Sequence, residues 1–309
     1  MTMKKYLTLF PLGVFLYACQ PALQETFPQQ ESVRISLTVN GSTKATGMAE
    51  DAISRAEIYV FEQDGTLETH ASASGGSVTV TLRPGTRKEV YAIVNQTTDC
   101  RTLAQVQALT SSLNATGFVM SGRLSGETFS GEGPFLLPVS RQAVKISLGS
   151  ITNDIREDDL KGQTFVLRSI YLVNVAPGPL SLWNGPAEPD LWINQGGWVS
   201  SALDAMTQEV VGTTLAPGET LPGDHIFYCY PHTSTRKTKL VIEALIGTQT
   251  CYYPIELNQL AKNTRYRIPS LSLQRFGSSS PDESVTTALG NFQLLAQSWQ
   301  EVPLDAQEL

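Results

Sequence analysis

Three side chains in the second half of the chain carry metal-ligand chemistry at close spacing: His225, Cys229 and His232. Imidazole nitrogen and thiolate sulfur are donors that zinc prefers. On an extended strand, however, positions 225 and 229 share a face while 232 points the other way, so the trio reads as strand residues with a terminal polar pair. Asp154, Glu157, Asp158 and Asp159 supply carboxylate oxygens of the kind calcium takes. They lack the glycine-centred spacing of a calcium loop and read as a solvated connector. Trp183, Trp192 and Trp198 offer flat faces on which sugars stack, and equally the means to seal the rim of a core. The histidines at 70, 225 and 232 are accompanied by no Gly-x-Ser-x-Gly, His-Glu-x-x-His or phosphate-loop pattern. No catalytic residue, metal site or cofactor is assigned, and the chain reads as a non-enzyme.

The strongest chemical signal sits at the start. Lys4 and Lys5 precede an apolar run from Tyr6 to Ala18, closed by Leu16-Tyr17-Ala18-Cys19. Two lysines, a short hydrophobic segment and a small residue before the cut make residues 1–18 a secretory signal. The run is too short to cross a bilayer core of roughly 30 Å as a helix, and Pro11 and Gly13 weaken it further. Leu-x-Ala-Cys resembles a bacterial lipobox, which makes Cys19 the lipid acceptor and the first residue of the mature chain, outside the cytoplasm. Each acyl CH₂ buried in a membrane contributes about 0.8 kcal/mol, so two or three chains suffice for anchoring. Residues 19–30 are polar, contain Pro21 and Pro28, and read as a tether between lipid and fold.

A chain of 309 residues, less its signal, suits two domains, each long enough to bury a core. The formal charge of -7, spread without long runs, excludes nucleic acid, which demands clustered Lys and Arg. With Cys19 acylated, Cys100, Cys229 and Cys251 remain, an odd number in an oxidising compartment. One disulfide between Cys229 and Cys251, on neighbouring predicted strands, and unpaired core cysteines are both open.

Most of the chain alternates with the period of strands. Val33, Ile35, Leu37 and Val39 interleave with polar residues in the cleanest half-buried strand of the first half. A loop of small polar residues with Lys44 at its centre follows. Strands are expected at 56–62, 78–82 and 89–95, separated by Asp64-Gly65 and Pro84-Gly85 turns. Thr102 and Gln105 have capping-box spacing ahead of one short amphipathic helix. Strands at 135–139 and 143–148 close a first domain near Ile151. A second set at 165–175, 225–230, 239–246, 250–257 and 263–273 gives the chain an all-β sandwich character. After a Gly/Ser/Pro break at 276–282, residues 289–302 form a terminal extended segment in which Phe292, Leu294, Leu295 and Ala296 are the apolar positions.

Several of these segments together resemble the fimbrillin, or type V pilin, family of lipoprotein precursors. The likeness is carried by the lipobox, the strand at 33–39, the basic loop residue Lys44, and Ala56-Glu-Ile-Tyr-Val-Phe-Glu-Gln-Asp-Gly65. Val90-Tyr-Ala-Ile-Val-Asn95, Tyr253-Pro-Ile, Asn263-Thr-Arg-Tyr-Arg-Ile and the final strand to Trp299 extend it. The resemblance implies two tandem transthyretin-like Greek-key β-sandwich domains, at 31–151 and 152–309, with one short helix in the N-terminal domain. It further implies export to the cell outer membrane and cutting by a trypsin-like protease in the loop after the first strand. Lys44-Ala45 is the candidate site, where family members typically have arginine. Arg55 and Arg34 are lesser candidates because they abut or lie in predicted strands. The cut would remove Val33, Ile35, Leu37 and Val39, and residues 289–302 of another subunit would fill the groove. Expected partners are other pilin subunits in a head-to-tail homo- or hetero-polymer, the outer membrane through the precursor's lipid, and a host or bacterial surface receptor. An uncut, lipid-anchored fimbrial anchor subunit and a surface glycan-binding lipoprotein are the alternative expectations.

Overall fold

The computed structural model of this protein describes residues 33–40, 50, 52–130, 134–283 and 295–298, the first and last of these through their backbone pairing. In chain order the elements are β1 (Val33–Asn40), β2 (Arg55–Glu62), β3 (Leu67–Ser74), β4 (Ser77–Leu82), β5 (Arg87–Val94), α1 (Leu103–Gln107), β6 (Thr110–Ser111), β7 (Met120–Thr128), β8 (Pro134–Pro138) and β9 (Ser140–Arg141). There follow β10 (Val144–Asn153), β11 (Phe165–Val173), β12 (Leu180–Ser181), α2 (Asp204–Thr207), β13 (Gln208–Thr214), β14 (Thr220–Leu221), β15 (His225–Cys229), β16 (Thr238–Ile246), β17 (Gln249–Leu257), β18 (Thr264–Leu273) and β19 (Leu295–Ser298). The all-β expectation holds, and α2, a single turn, is a helix that the sequence pattern does not announce. Among the described residues no helix is long and apolar enough to cross a membrane.

β2 shows why the first half folds as it does. Its six central residues are all buried because the strand lies inside the sheet β3-β2-β5-β7-β9 and both faces of that sheet are covered. Ala56, Ile58 and Val60 pack with Val90, Ala92 and Val94 of β5 against Val78, Val80 and Leu82 of β4. The alternate residues Tyr59 and Phe61 join Tyr91, Ile93, Val106 of α1 and Leu182 in a second cluster on the other face. α1 starts with the expected reciprocal cap: the Gln105 N–H donates to Thr102 Oγ1 at 3.2 Å and the Thr102 N–H to Gln105 Oε1 at 3.1 Å. The Asp64-Gly65 turn also forms, with Gly65 at φ +84°, a conformation that only glycine adopts without strain.

The second half encloses a separate core between the sheet β14-β10-β18-β19, with β15 also on β10, and the sheet β13-β11-β16-β17. Ile146 and Leu148 of β10, Leu167 and Ile170 of β11, Phe227 of β15 and Ile242 of β16 are fully buried there. β10, which the sequence pattern places at the end of the first domain, pairs antiparallel with β15 and parallel with β18, in the sheet of the second half. Periodicity alone reads the strand but not its neighbours, and here the parallel partner, β18, lies more than a hundred residues downstream. Parallel pairing brings two backbones together at Gly149, where a Cβ would meet the Pro269 carbonyl oxygen at 2.0 Å.

Candidate functional site

β1 occupies the middle of a three-stranded sheet, β4-β1-β8, and among the described residues it is the only strand that joins the other two. Toward β4 the pairing is antiparallel, with Val33, Ile35 and Leu37 opposite Leu82, Val80 and Val78. Toward β8 it is parallel, with Leu37 opposite Phe135 and Val39 opposite Leu137. Directly opposed residues share a face of a sheet. On that face Val78, Val80, Leu82 and Leu137 are at most 3% exposed and form part of the first-half core. Phe129 and Phe135 meet edge to face beside them, with centroids 5.0 Å apart.

This arrangement has a chemical consequence without any catalytic group. Taking β1 away breaks the ladder on both sides, leaves facing edges on β4 and β8 with unpaired N–H and C=O groups, and uncovers an apolar floor. The natural occupant of such a slot is another strand, held by ladder hydrogen bonds and fixed in register by its apolar residues.

At the other end of the chain, β19 pairs antiparallel with β18, setting Leu295 opposite Arg267 and Ala296 opposite Tyr266. It lies on the edge of that sheet, since β10 takes β18's other side. Phe292 and Leu294 of the expected terminal strand lie outside the described residues, as do Cys19, Lys44 and Ala45. Arg55 is described, at the first position of β2. Its carbonyl accepts the Asn95 N–H at 2.9 Å, the preceding Ser54 carbonyl accepts the Gly75 N–H at 3.1 Å, and its side chain holds Glu57 at 2.8 Å.

The remaining candidates are drawn apart or put to structural use. His225 meets Glu209, Nδ1 to Oε2, at 2.9 Å, and His232 bonds Thr238 and lies against the edge of Trp192. Burial lowers the His232 imidazole below its usual value. Cys229 is wholly buried, and burial alone pushes its thiol up to about 12. No group of three His, Cys, Asp or Glu side chains fit to hold a metal forms among the described residues. Asp154 pairs with Arg156, Asp158 with Lys161, and Glu157 accepts the Phe276 N–H at 2.7 Å.

The tryptophans each have their own setting. Trp183 donates from Nε1 to the Val106 carbonyl at 2.6 Å and packs edge-on against Tyr91. Trp192 lies under the Arg236 guanidinium at one wall of an open polar cleft of about 630 Å³, and Trp198 is 39% exposed. A shared stacking platform does not form from Trp183, which is spent on the first-half core. Cys100, Cys229 and Cys251 are free and buried. The Cys229–Cys251 disulfide is not formed, which leaves the unpaired arrangement.

By architecture, then, this is an all-β protein of stacked sheets whose first strand lies between β4 and β8. Residues 32–135 match the family model described as major fimbrial subunit protein (FimA). Over those residues, about a third of the chain, it is similar to major fimbrial subunits, in line with the sequence resemblance. The chain is similar in fold to a fimbrilin (fimA) from Porphyromonas gingivalis, at 16% identity and a TM-score of 0.60, over 86% of this chain and 97% of that one. It is likewise similar to a candidate cell adhesion protein from Bacteroides eggerthii, at 17% identity and a TM-score of 0.65, over 87% and 96% of the two chains. A further candidate cell adhesion protein, from Parabacteroides distasonis, matches at 13% identity and a TM-score of 0.60, over 87% and 100%. No curated protein matches by sequence.

Proposed function

We propose that this protein is a structural subunit, a stalk or tip pilin, of a cell-surface fimbria that supports adhesion. The precursor is exported as a lipoprotein acylated at Cys19. A trypsin-like protease then cuts at Lys44-Ala45 and releases β1 with the lipid. Residues 289–302 of a second subunit, with Phe292, Leu294, Leu295 and Ala296 as its apolar residues, fill the vacated groove. The single observation that supports this reading best is that β1 alone, among the described strands, bridges β4 and β8 over a buried apolar floor. Each large apolar residue that a donor strand buries there contributes about 1.5–3 kcal/mol. Donor and acceptor are different surfaces of one subunit, so the contact is head-to-tail and propagates into a filament. The same reading divides the chain into two tandem β-sandwiches, and the separate cores of the first and second halves support two domains.

Deleting residues 289–309 tests the assembly step. The expected product is a folded monomer, with an unchanged β-sheet circular dichroism spectrum, that is cut at Lys44 and does not polymerise. Polymers of full length from the deleted chain would contradict the proposal.

A further inference from the structure

The described residues just before β2 are tied down at several points. Glu50 is buried, and its carboxylate contacts Lys145 Nζ of β10 and the Tyr228 hydroxyl of β15, each at 2.5 Å. The Glu50 carbonyl accepts from Arg141 Nε at 3.1 Å. Two residues on, the Ala52 carbonyl accepts from Asn95 Nδ2 at 2.7 Å, and the Ser54 N–H donates to Asn95 Oδ1 at 2.9 Å. Asn95 also donates to the Phe118 carbonyl at 2.9 Å and sits at φ +60°, a left-handed conformation that asparagine tolerates better than most residues. Between these ties, Ile53 packs on the first-half core.

We propose that Glu50 and Asn95 form a clamp that ends proteolytic trimming after the loop and keeps the start of β2 folded once β1 has left. This inference rests on the reading of β1 as a removable strand. A trypsin-like protease binds several residues around its target in extended, accessible form, and Arg55 is the next basic residue after Lys44. Hydrolysis of the Arg55–Ala56 peptide bond would therefore require the chain from Glu50 onward to lift away. Lifting it would separate the Glu50 carboxylate from Lys145 and its carbonyl from Arg141, both of them buried, and breaking a buried ion pair is strongly unfavourable. The clamp also explains why β2 survives the loss of the segment before it: its start is held by β10, β15 and Asn95, without help from β1.

The experiment is limited trypsin digestion of the full folded chain, with new N-termini followed by mass spectrometry. In the wild type the Ala56 terminus stays rare while the core persists. In Glu50→Ala, and independently in Asn95→Ala, it appears faster by on the order of tenfold or more, because cleavage of a locally opened segment tracks the population of its open form. Cuts after Arg168 and Arg236 in the second half stay at their wild-type rate. If Glu50→Ala does not fold, Tyr228→Phe removes one of the carboxylate's contacts and gives the same selective increase at smaller size. An unchanged Ala56 rate, or a rise shared equally by all three sites, overturns the clamp. The Ala45 terminus is read in the same spectra: its absence contradicts strand removal, whereas the clamp stands or falls on Ala56.

Discussion

Lys88 is fully buried in β5, and its ammonium group lies between two carboxylates, Glu62 at 2.7 Å and Glu68 at 2.6 Å. Burial works to raise the Glu62 carboxyl, but hydrogen bonds from Lys88 and Thr86 and the charges of Lys88 and Arg83 outweigh it and hold it below its usual value of 4.5. Glu89 follows the same balance: burial raises it, while Ser125, Arg123 and the Gly126 N–H together lower it by more. A carboxylate that is more acidic folded than unfolded stabilises the fold fully above the unfolded value and loses that contribution as pH falls through the folded one. The carboxylate contribution to stability in urea is therefore expected to hold from neutral pH down to about 4.5 and to decline below it, after an earlier decline below about pH 6.5 from the buried His232, whose imidazole takes up its proton more readily unfolded. Lys88→Met removes the hydrogen bond and the charge that Lys88 gives Glu62, leaving only Thr86 and Arg83 to depress it, and is expected to lower stability at neutral pH and flatten the acid decline. Urea midpoints measured from pH 7 to pH 3 check both; an acid limb of equal slope in the variant would contradict the assignment. The sequence shows none of this, since Lys88 is one of 22 basic residues with nothing to mark it as buried. Glu50 is a similar case: an acid beside a loop of small residues acquires its role from Arg141, Lys145 and Tyr228, which only the fold brings to it.

At the scale of elements, what can be read in advance follows from how each strand buries itself. β1, β4 and β10 alternate polar and apolar residues, and β2 and β5 carry near-continuous apolar runs, so periodicity finds them. It does not find β3 (Leu67–Ser74), β7 (Met120–Thr128) or β13 (Gln208–Thr214). Their sequences, LETHASAS, MSGRLSGET and QEVVGTT, carry little apolar patterning because large parts of them are exposed. β3 and β13 are sheet edges, and β7 leans on the ladder with β5, where backbone pairing substitutes for side-chain burial. The partner of β10 is equally hidden, since a parallel pair needs a crossover that local pattern does not encode. Gly149 records that pairing: the Pro269 carbonyl occupies the space a side chain would need. Gly149→Ala must push β10 and β18 apart, and is expected to cost about 1–3 kcal/mol or more, as overpacking of a filled core does. A thermal melt unchanged by the substitution would show that the two strands do not approach as closely as described.

For the whole molecule, the strand proposed to leave and the segment proposed to replace it lie at opposite ends of the chain. β1 precedes Lys44 in the chain, while β19 lies on the edge of the second-half sheet among the described strands. Strand exchange needs that separation, because the groove of one subunit must be reached by the end of another. The full sequence is acidic, with a formal charge of -7, and like-charged subunits repel one another, which favours solubility. The measurement that tests assembly by strand exchange most directly is the N-terminal residue and intact mass of the chain recovered from surface fibres. The predicted result is a delipidated chain beginning at Ala45, with residues 19–44 absent. A chain in the fibre that begins at acylated Cys19 would mean that β1 stays in its groove, and would contradict assembly by strand exchange.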